Sequence, residues 1–399
     1  MRSDVLVVGA GPGGSTAAYW LSRFGADVLL VDGAQFPRDK PCGDGLGPGV
    51  EGLLIAMGLG EFIRSHGREY RGACLHYPNG EGTSVAFYQD EPSQSGLGWV
   101  IPRYFLDDAL RQNAEKSGAR FLPGFVAQGP RYQNGRLNGL VGQLGGKQID
   151  IESPLVIVAT GANRRLLRSM GMTDTDQPQG LGLRLYLSEL SDLDNNIHFY
   201  LEPKLFPGYS WVFPVGDGRA NFGCVILLEG ISPSEGSRRI KTVLHRKLRG
   251  GDLSGGVIQD KPRGYPIYTD YPNVPVCTAG TLVIGEAAGL VDPITGEGIY
   301  TAMRSGWLAA RVAGCALEAG DFSVEPLKVY GDILDEWYRH YYEAARSFMS
   351  WLAHPGRLEA LIWHSKSDAQ VRRGLEEALI QKRPAEGLKI LQEAITLPG

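Results

Sequence analysis

The chain has 399 residues, 43% of them hydrophobic, which is enough to fill more than one core and to build roughly two or three domains. Forty basic against 44 acidic residues give a formal net charge of −4, so there is no excess positive field to hold a polyphosphate backbone, and no nucleic-acid partner is expected. The five cysteines are odd in number, unevenly spaced and without a C-x-x-C pair, and the histidines lack ligand spacing, which points to a reducing compartment and to no metal site. No apolar run reaches membrane-spanning length and no signal core opens the chain, so the expected location is cytoplasmic, with peripheral contact to a membrane left open.

Residues 4–32, DVLVVGAGPGGSTAAYWLSRFGADVLLVD, read as strand, glycine turn, helix and strand. The first run is apolar on both faces, as in a buried parallel strand. Gly9, Gly11 and Gly14 form G-x-G-x-x-G, with Pro12, Gly13 and Ser15 completing the turn and helix start. Gly9 permits the tight turn, Gly11 admits a pyrophosphate, and Gly14 lets the helix pack on the sheet. The helix, expected over Ser15–Phe24, turns Ala17, Ala18 and Leu21 inward and stops at Gly25. Asp32, followed by Gly33, ends the second strand where a carboxylate accepts ribose hydroxyls. At this point FAD and NAD(P) both remain open.

The next segment, FPRDKPCGDGL at 36–46, places Arg38 and Lys40 beside Cys42 and Gly43. The cations suit a phosphate or reduced-flavin charge, or simply a solvated loop. Cys42 is either a proton donor of altered pKa or an inert buried thiol. Residues 99–119 read as a helix opened by Pro102, with Phe105, Leu106, Ala109 and Leu110 inward. Arg103 in its first turn opposes the helix dipole, which favours a ligand role. Residues 154–171 carry a strand that returns to the first sheet.

In GYSWVFPVGDGRANFG, 208–223, Tyr209, Trp211 and Phe213 share one strand face and Pro214 is expected to end the ladder. They form either the core of a second sheet or the wall of an apolar site. Residues 280–317 repeat the pattern of strand, small-residue turn and long helix: Gly285-Glu286 closes the strand, and Gly296-Glu297-Gly298 opens the helix. Two sets of backbone donors so far apart in the chain imply a long ligand held from both sides, as a flavin dinucleotide is. Residues 325–352 place Leu334, Trp337, Tyr341, Ala344, Ala345, Phe348 and Leu352 at helical spacing, the pattern of a packed stripe.

The expected fold is α/β: a Rossmann-like FAD-binding domain assembled from about 1–70, 100–168 and 264–320, an inserted antiparallel β-sheet substrate domain (about 71–99 and 169–263), and a C-terminal helical region over 321–399.

The glycine turn, Asp32 and GEAAGLVDPITGEGI together resemble the FAD-dependent oxidoreductase superfamily of para-hydroxybenzoate hydroxylase type. The P-R-x-K-x-C-G segment and Y-x-W-x-F-P…N-x-G resemble its geranylgeranyl reductase branch. The resemblance implies that Arg103 contacts FAD, that Ala159 and Gly161 (flanking Thr160) lie near the adenosine end, and that Pro293 and Gly296 to Ile299 lie over the flavin ring and pyrophosphate. Glu286 stands where the superfamily has an aspartate on the ribityl chain. Tyr209, Trp211, Phe213 and Pro214 would line the substrate cavity, with Cys42 beside the flavin.

The activity implied is reduction of isolated C=C bonds in a prenyl chain, with FAD as cofactor and NADPH or another reductant, such as ferredoxin, as transient electron donor. The partner would be a prenyl lipid or another lipophilic small molecule, met at a membrane surface. The rival readings are an FAD-dependent monooxygenase, a flavin halogenase and a non-catalytic FAD-binding scaffold. The hydroxylase D-G motif is not evident before Gly161, and YSWVFP only approaches the halogenase W-x-W-x-I-P.

Overall fold

A computed structural model of the chain describes all residues except 77–81, 87–97, 176, 192, 251–252, 355, 366–367, 380–383 and 395–399. Parts of the expected inserted unit (77–81, 87–97, 176, 192 and 251–252) and of the helical tail (355, 366–367, 380–383 and 395–399) therefore lie outside the described residues.

Strand β1 (Val5–Val8) is buried along its whole length because it has a parallel neighbour on each side: Leu155–Val158 on one and β2 (Val28–Asp32) on the other. Helices cover both faces, so the apolar run needs no alternation. The sheet runs Cys277–Thr278, Thr281–Val283, Leu155–Val158, β1, β2, Arg120–Pro123, parallel except for its first pair. Helix α1 (Pro12–Arg23) follows β1 directly and starts three residues earlier than the sequence suggests, because Pro12 sits in the first helical turn. A Cβ on Gly14 would lie 1.8 Å from the Gly9 carbonyl oxygen, and one on Gly9 would lie 2.3 Å from that of Ala159. The turn closes only with glycine at both places. The helix Ile299–Ala319 crosses α1 backbone to backbone, a Cβ on Gly306 falling 2.4 Å from the Gly13 oxygen.

A second, larger sheet carries Val257–Ile258, Gly180–Ser188, Arg219–Leu227, Tyr209–Gly216, Ile197–Tyr200, Gly72–His76 and Gly82–Ala86 in spatial order, with Arg263–Ile267 also on Gly180–Ser188. All neighbours are antiparallel except Ile197–Tyr200 with Gly72–His76. In that pair Gly72–His76 belongs to the first hairpin, and Ile197–Tyr200 comes to lie beside it after the chain has re-entered the sheet through Gly180–Ser188. The helix Pro233–Gly250 seals one face with Ile240, Val243 and Leu244. Two further three-stranded sheets, Phe125–Gln133 with Arg136–Leu144 and Lys147–Ile151, and Gly45–Leu46 with Gly98–Val100 and Arg68–Tyr70, have no counterpart in the expectations from sequence.

Three local expectations are corrected. Phe105 points to solvent, 47% exposed, and the inward position is taken by Asp107 between Leu106 and Leu110 on the helix Arg103–Lys116. Pro214 does not end its strand, which runs to Gly216; the missing N–H is absorbed by a register shift between Pro214 and Gly216. In the tail, a π-helical turn at Asp335–Arg339 separates the helices Val324–Leu334 and His340–Leu352. Around this turn Tyr338 and Tyr342 are buried, while Trp337 and Tyr341 pack half-buried against the same core.

A buried ion pair binds the first sheet to the segment that precedes its edge. Arg164, 1% exposed, reaches both oxygens of Asp270 at 2.8 and 2.6 Å and lies 3.8 Å from the Tyr268 ring centroid. Removing one partner strands the other's charge, so Arg164→Ala should lower unfolding free energy by about 3–5 kcal/mol. Urea unfolding of the purified variant measures this; a loss within error of zero would contradict the role given to the pair.

Candidate active site

The first turn of α1 has no side-chain cap, so the N–H groups of Gly11, Gly13 and Gly14 are offered outward, Pro12 having none to leave unsatisfied. A Cβ placed on Gly11 would meet only the guanidinium nitrogens of Arg38 and Arg103, at 3.8 and 3.9 Å. Two cations thus face the glycine turn across a gap suited to a diphosphate. Both are held by one carboxylate: Asp107 accepts Arg103 Nε at 2.5 Å and Nη2 at 2.7 Å, and Arg38 at 2.7 Å. Burial opposes ionisation of Asp107, but Arg103 and Arg38 outweigh it and hold its carboxyl below the usual range. The pair with Asp107 is what lets Arg103 sit at a helix start, and two positive charges against one negative still leave the cluster positive. Asp107 is a site residue that sequence reading missed; its spacing of four from Arg103 is the signal that was available.

Asp32 spends one lone pair of each oxygen on the turn, accepting Ala10 N–H and Ala34 N–H at 2.8 Å each, which leaves each oxygen with further accepting capacity. Gly33 beside it faces Val126. Ser15 donates to Ala10 O at 3.1 Å, so its hydroxyl serves the turn itself. Ala159 packs against Gly9 and Gly14. Thr160 Oγ1 is buried without a protein partner, and Gly161, in the left-handed region, lies under the pair Lys40 Nζ to Glu286 Oε2, 3.3 Å apart. An orphaned hydroxyl, a free helix start and a cation pair around one groove fit an FAD well. Gly285 gives its N–H to Ser305 Oγ, and Pro293 is buried in a turn built by Asp292, whose Oδ1 accepts Ile294 N–H and Thr295 N–H. The loop then passes Gly296, Glu297 and Gly298 into Ile299, the first helical residue, which is buried against Leu46.

The aromatic strand meets this groove through the Cys42 loop. Cβ atoms on Gly43 and Gly45 would touch Phe213 at 3.0 and 3.1 Å, and the Gly43 position is 3.5 Å from Trp211 Nε1. Tyr209 donates to Thr295 O at 2.6 Å, reaching the other flank of the groove. Phe199 stands edge-on to Tyr209 and Phe213, at 5.2 and 5.3 Å between centroids. Trp211 is 7% and Phe213 8% exposed, so the wall and the core of this region are the same residues. The N-x-G of the motif has a direct cause: Asn221 accepts the Trp211 indole N–H at 2.9 Å, and Gly223, opposite Trp211, leaves room for its ring, which a Cβ would approach to 2.1 Å.

Cys42 is half-buried and unpaired with any other cysteine. The Arg103 guanidinium and the Asp44 backbone N–H both approach its sulfur. Burial pushes the thiol up, Arg103 pulls it down and the Asp44 carboxylate pushes it up again; the balance is raised. Asp44, Asn221 and Tyr186 are further residues the sequence did not single out for chemistry. Away from this groove, ligand atoms of Cys74, Asp194 and His198 lie within 4.8 Å of one another, an arrangement without sequence signal; His198 also bonds His76 at 2.9 Å. A groove of about 420 Å³ lined by Lys204, Arg238 and Arg239 shares no residue with the site.

A Rossmann-type sheet, an open helix start and a cationic diphosphate gap beside an apolar wall define a flavin-dependent oxidoreductase. The family model for the FAD binding domain matches residues 2–201. A menaquinone reductase of Mycobacterium tuberculosis is 33% identical over 360 residues, 88% of this chain and 85% of that one. A digeranylgeranylglycerophospholipid reductase of Methanothrix thermoacetophila is 31% identical, covering 83% and 82%. The crystal structure of a geranylgeranyl bacteriochlorophyll reductase-like protein from Thermoplasma acidophilum superposes with a TM-score of 0.82 over 99% of both chains at 25% identity. The chain belongs to the geranylgeranyl reductase family of FAD-dependent oxidoreductases. This sets aside the non-catalytic scaffold. No helix among the described residues is long and apolar enough to cross a membrane.

The gap at Gly11 separates cofactor binding from folding. Gly11→Asp would place a carboxylate between Arg38 and Arg103 and should yield a folded but colourless protein, with the 450 nm to 280 nm absorbance ratio lowered at least about tenfold. Retention of full flavin by a folded Gly11→Asp variant would contradict this placement of the diphosphate.

Proposed function

We propose that the enzyme saturates isolated C=C bonds in the prenyl chain of a lipid. The observation that carries this reading is the seating of the Cys42 loop directly on Trp211 and Phe213, which puts a protonated thiol, a guanidinium and an apolar aromatic face at one place. The relatives support it: menaquinone and digeranylgeranylglycerophospholipid differ in their head groups and have a polyprenyl chain in common.

An isolated alkene has no carbonyl to accept negative charge, so reduction requires a proton at one carbon and a hydride at the other. FAD, once reduced, supplies the hydride. Cys42 gives the proton, the sulfur keeping the S–H electron pair as a thiolate that Arg103 stabilises. As the proton arrives, positive charge grows at the more substituted carbon, where Trp211 and Phe213 contribute about 1–2 kcal/mol through their ring faces. The apolar wall also keeps water from capturing that charge. The second proton needed to restore the thiol comes from solvent, and the electrons come from NADPH or another two-electron donor. A lipid substrate has to be drawn from a membrane face, which makes peripheral contact part of this proposal. Arg38, Arg103, Asp32, Thr160 and Glu286 are the residues assigned to hold FAD.

The test is anaerobic single turnover: photoreduced holoenzyme is mixed with geranylgeraniol, a geranylgeranyl glycerophospholipid and menaquinone. The expected result is flavin reoxidation coupled to a mass gain of two hydrogens per bond in the chain, and Cys42→Ser should slow it by about 10²–10⁴. Reoxidation by none of the three, or by menaquinone with only its ring reduced, would overturn the proposal.

A further inference from the structure

Asp44 occupies the left-handed region (φ 64°) between Gly43 and Gly45, a place where glycine is free and aspartate is strained. Its carboxylate is fully buried, with Oδ2 accepting Tyr186 O–H at 2.5 Å and Asn221 Nδ2 at 2.7 Å, while Oδ1 faces the Arg103 backbone N–H at 3.3 Å. These bonds tie the turn to the helix start and to the second sheet, while the backbone of the turn is closed separately by Ile101 N–H to Asp44 O at 3.0 Å. The same carboxylate also brings a charge to the site. Two residues away, Cys42 sits against Arg103; burial is the larger influence and favours the thiol, while the guanidinium draws it towards thiolate and so against delivering a proton.

We propose that Asp44 is the positioning residue that keeps Cys42 protonated beside Arg103. The inference rests on the reading of Cys42 as proton donor and deepens it. Asp44 acts twice: its backbone N–H holds the sulfur in place, and its negative charge offsets that of the guanidinium. Burial pushes the Asp44 carboxyl up to about 6 even with Tyr186 and Asn221 bonding its charged form, so it is ionised at neutral pH. The charged and titratable groups around the pair are Lys40 and Asp39 from the loop, Arg103 and Asp107 from the helix, and Arg184, Tyr186 and Tyr209 from the second sheet. Arg184, held by Asp39 and Asp260 at 2.6 and 2.7 Å, and Arg103 both favour the ionised Asp44, Arg184 the more strongly.

The measurement is the pH profile of Cys42 alkylation by iodoacetamide in the FAD-bound enzyme, read by mass at the Cys42 peptide. Asp44→Asn should move the profile to lower pH, and a midpoint lower by about one pH unit raises the rate at neutral pH about tenfold. Tyr186→Phe, which removes the donor that keeps Asp44 ionised, should move it the same way by less. Profiles that superimpose on the parent's overturn the proposal; should Asp44→Asn not fold, Tyr186→Phe decides by the same criterion. A holoenzyme inert towards every prenyl compound would sink the proposed function, yet the alkylation profiles would still report on Asp44.

Discussion

The two halves of the molecule are joined at one buried amide. Asn221 donates to Cys42 O and to Asp44 Oδ2, each at 2.7 Å, and accepts the indole N–H of Trp211 at 2.9 Å. Every polar capacity of the side chain but one lone pair is thereby used, with no water competing. The Cys42 loop belongs to the nucleotide-binding half and Trp211 to the second sheet, so the position of the thiol relative to the aromatic wall is set by this residue. Arg184 repeats the connection at the rim by gripping Asp39 and Asp260. The Cys42 loop and the aromatic wall come from different parts of the fold, and these polar ties hold them together.

Charge follows a similar economy. Arg38 and Arg103 share Asp107, and Lys40 leans on Glu286, so every cation near the glycine turn is oriented by a carboxylate before any ligand arrives. Preorientation of this kind lowers the ordering cost of binding a diphosphate. Arg103 has a second task at the Cys42 sulfur, which couples the phosphate end of the groove to its chemical end through one side chain.

Much of this was legible in the sequence where backbone sterics dictate the residue. Gly9 and Gly14 announce a turn only glycine can close, and the double-sided apolar run of β1 announces a central parallel strand. The aromatic alternation of 209–213 gave the strand, and N-x-G is explained by the indole it accommodates. What stayed hidden depends on contacts between distant segments. Asp107 looks like a surface acid until Arg38, 69 residues earlier, is seen to share it. Asp44 looks like a turn residue until Tyr186 closes on it across 142 residues. The π-turn at Asp335–Arg339 leaves Leu334, Tyr338, Tyr342 and Ala345 buried at spacings of three and four, so the period in the sequence carries no sign of it.

The central claim is that prenyl reduction depends on the thiol and the aromatic wall being held together, and Asn221→Leu tests it most directly. Its side chain is close in volume but makes none of the three hydrogen bonds, while the glycine turn that would hold the flavin lies in the other sheet. With reduced holoenzyme, reoxidation by a geranylgeranyl lipid should fall at least about a hundredfold, a loss of roughly 2.7 kcal/mol in the barrier, while reoxidation by dioxygen stays at the parent rate. An Asn221→Leu enzyme that keeps its flavin and reduces the prenyl chain as fast as the parent would contradict the account.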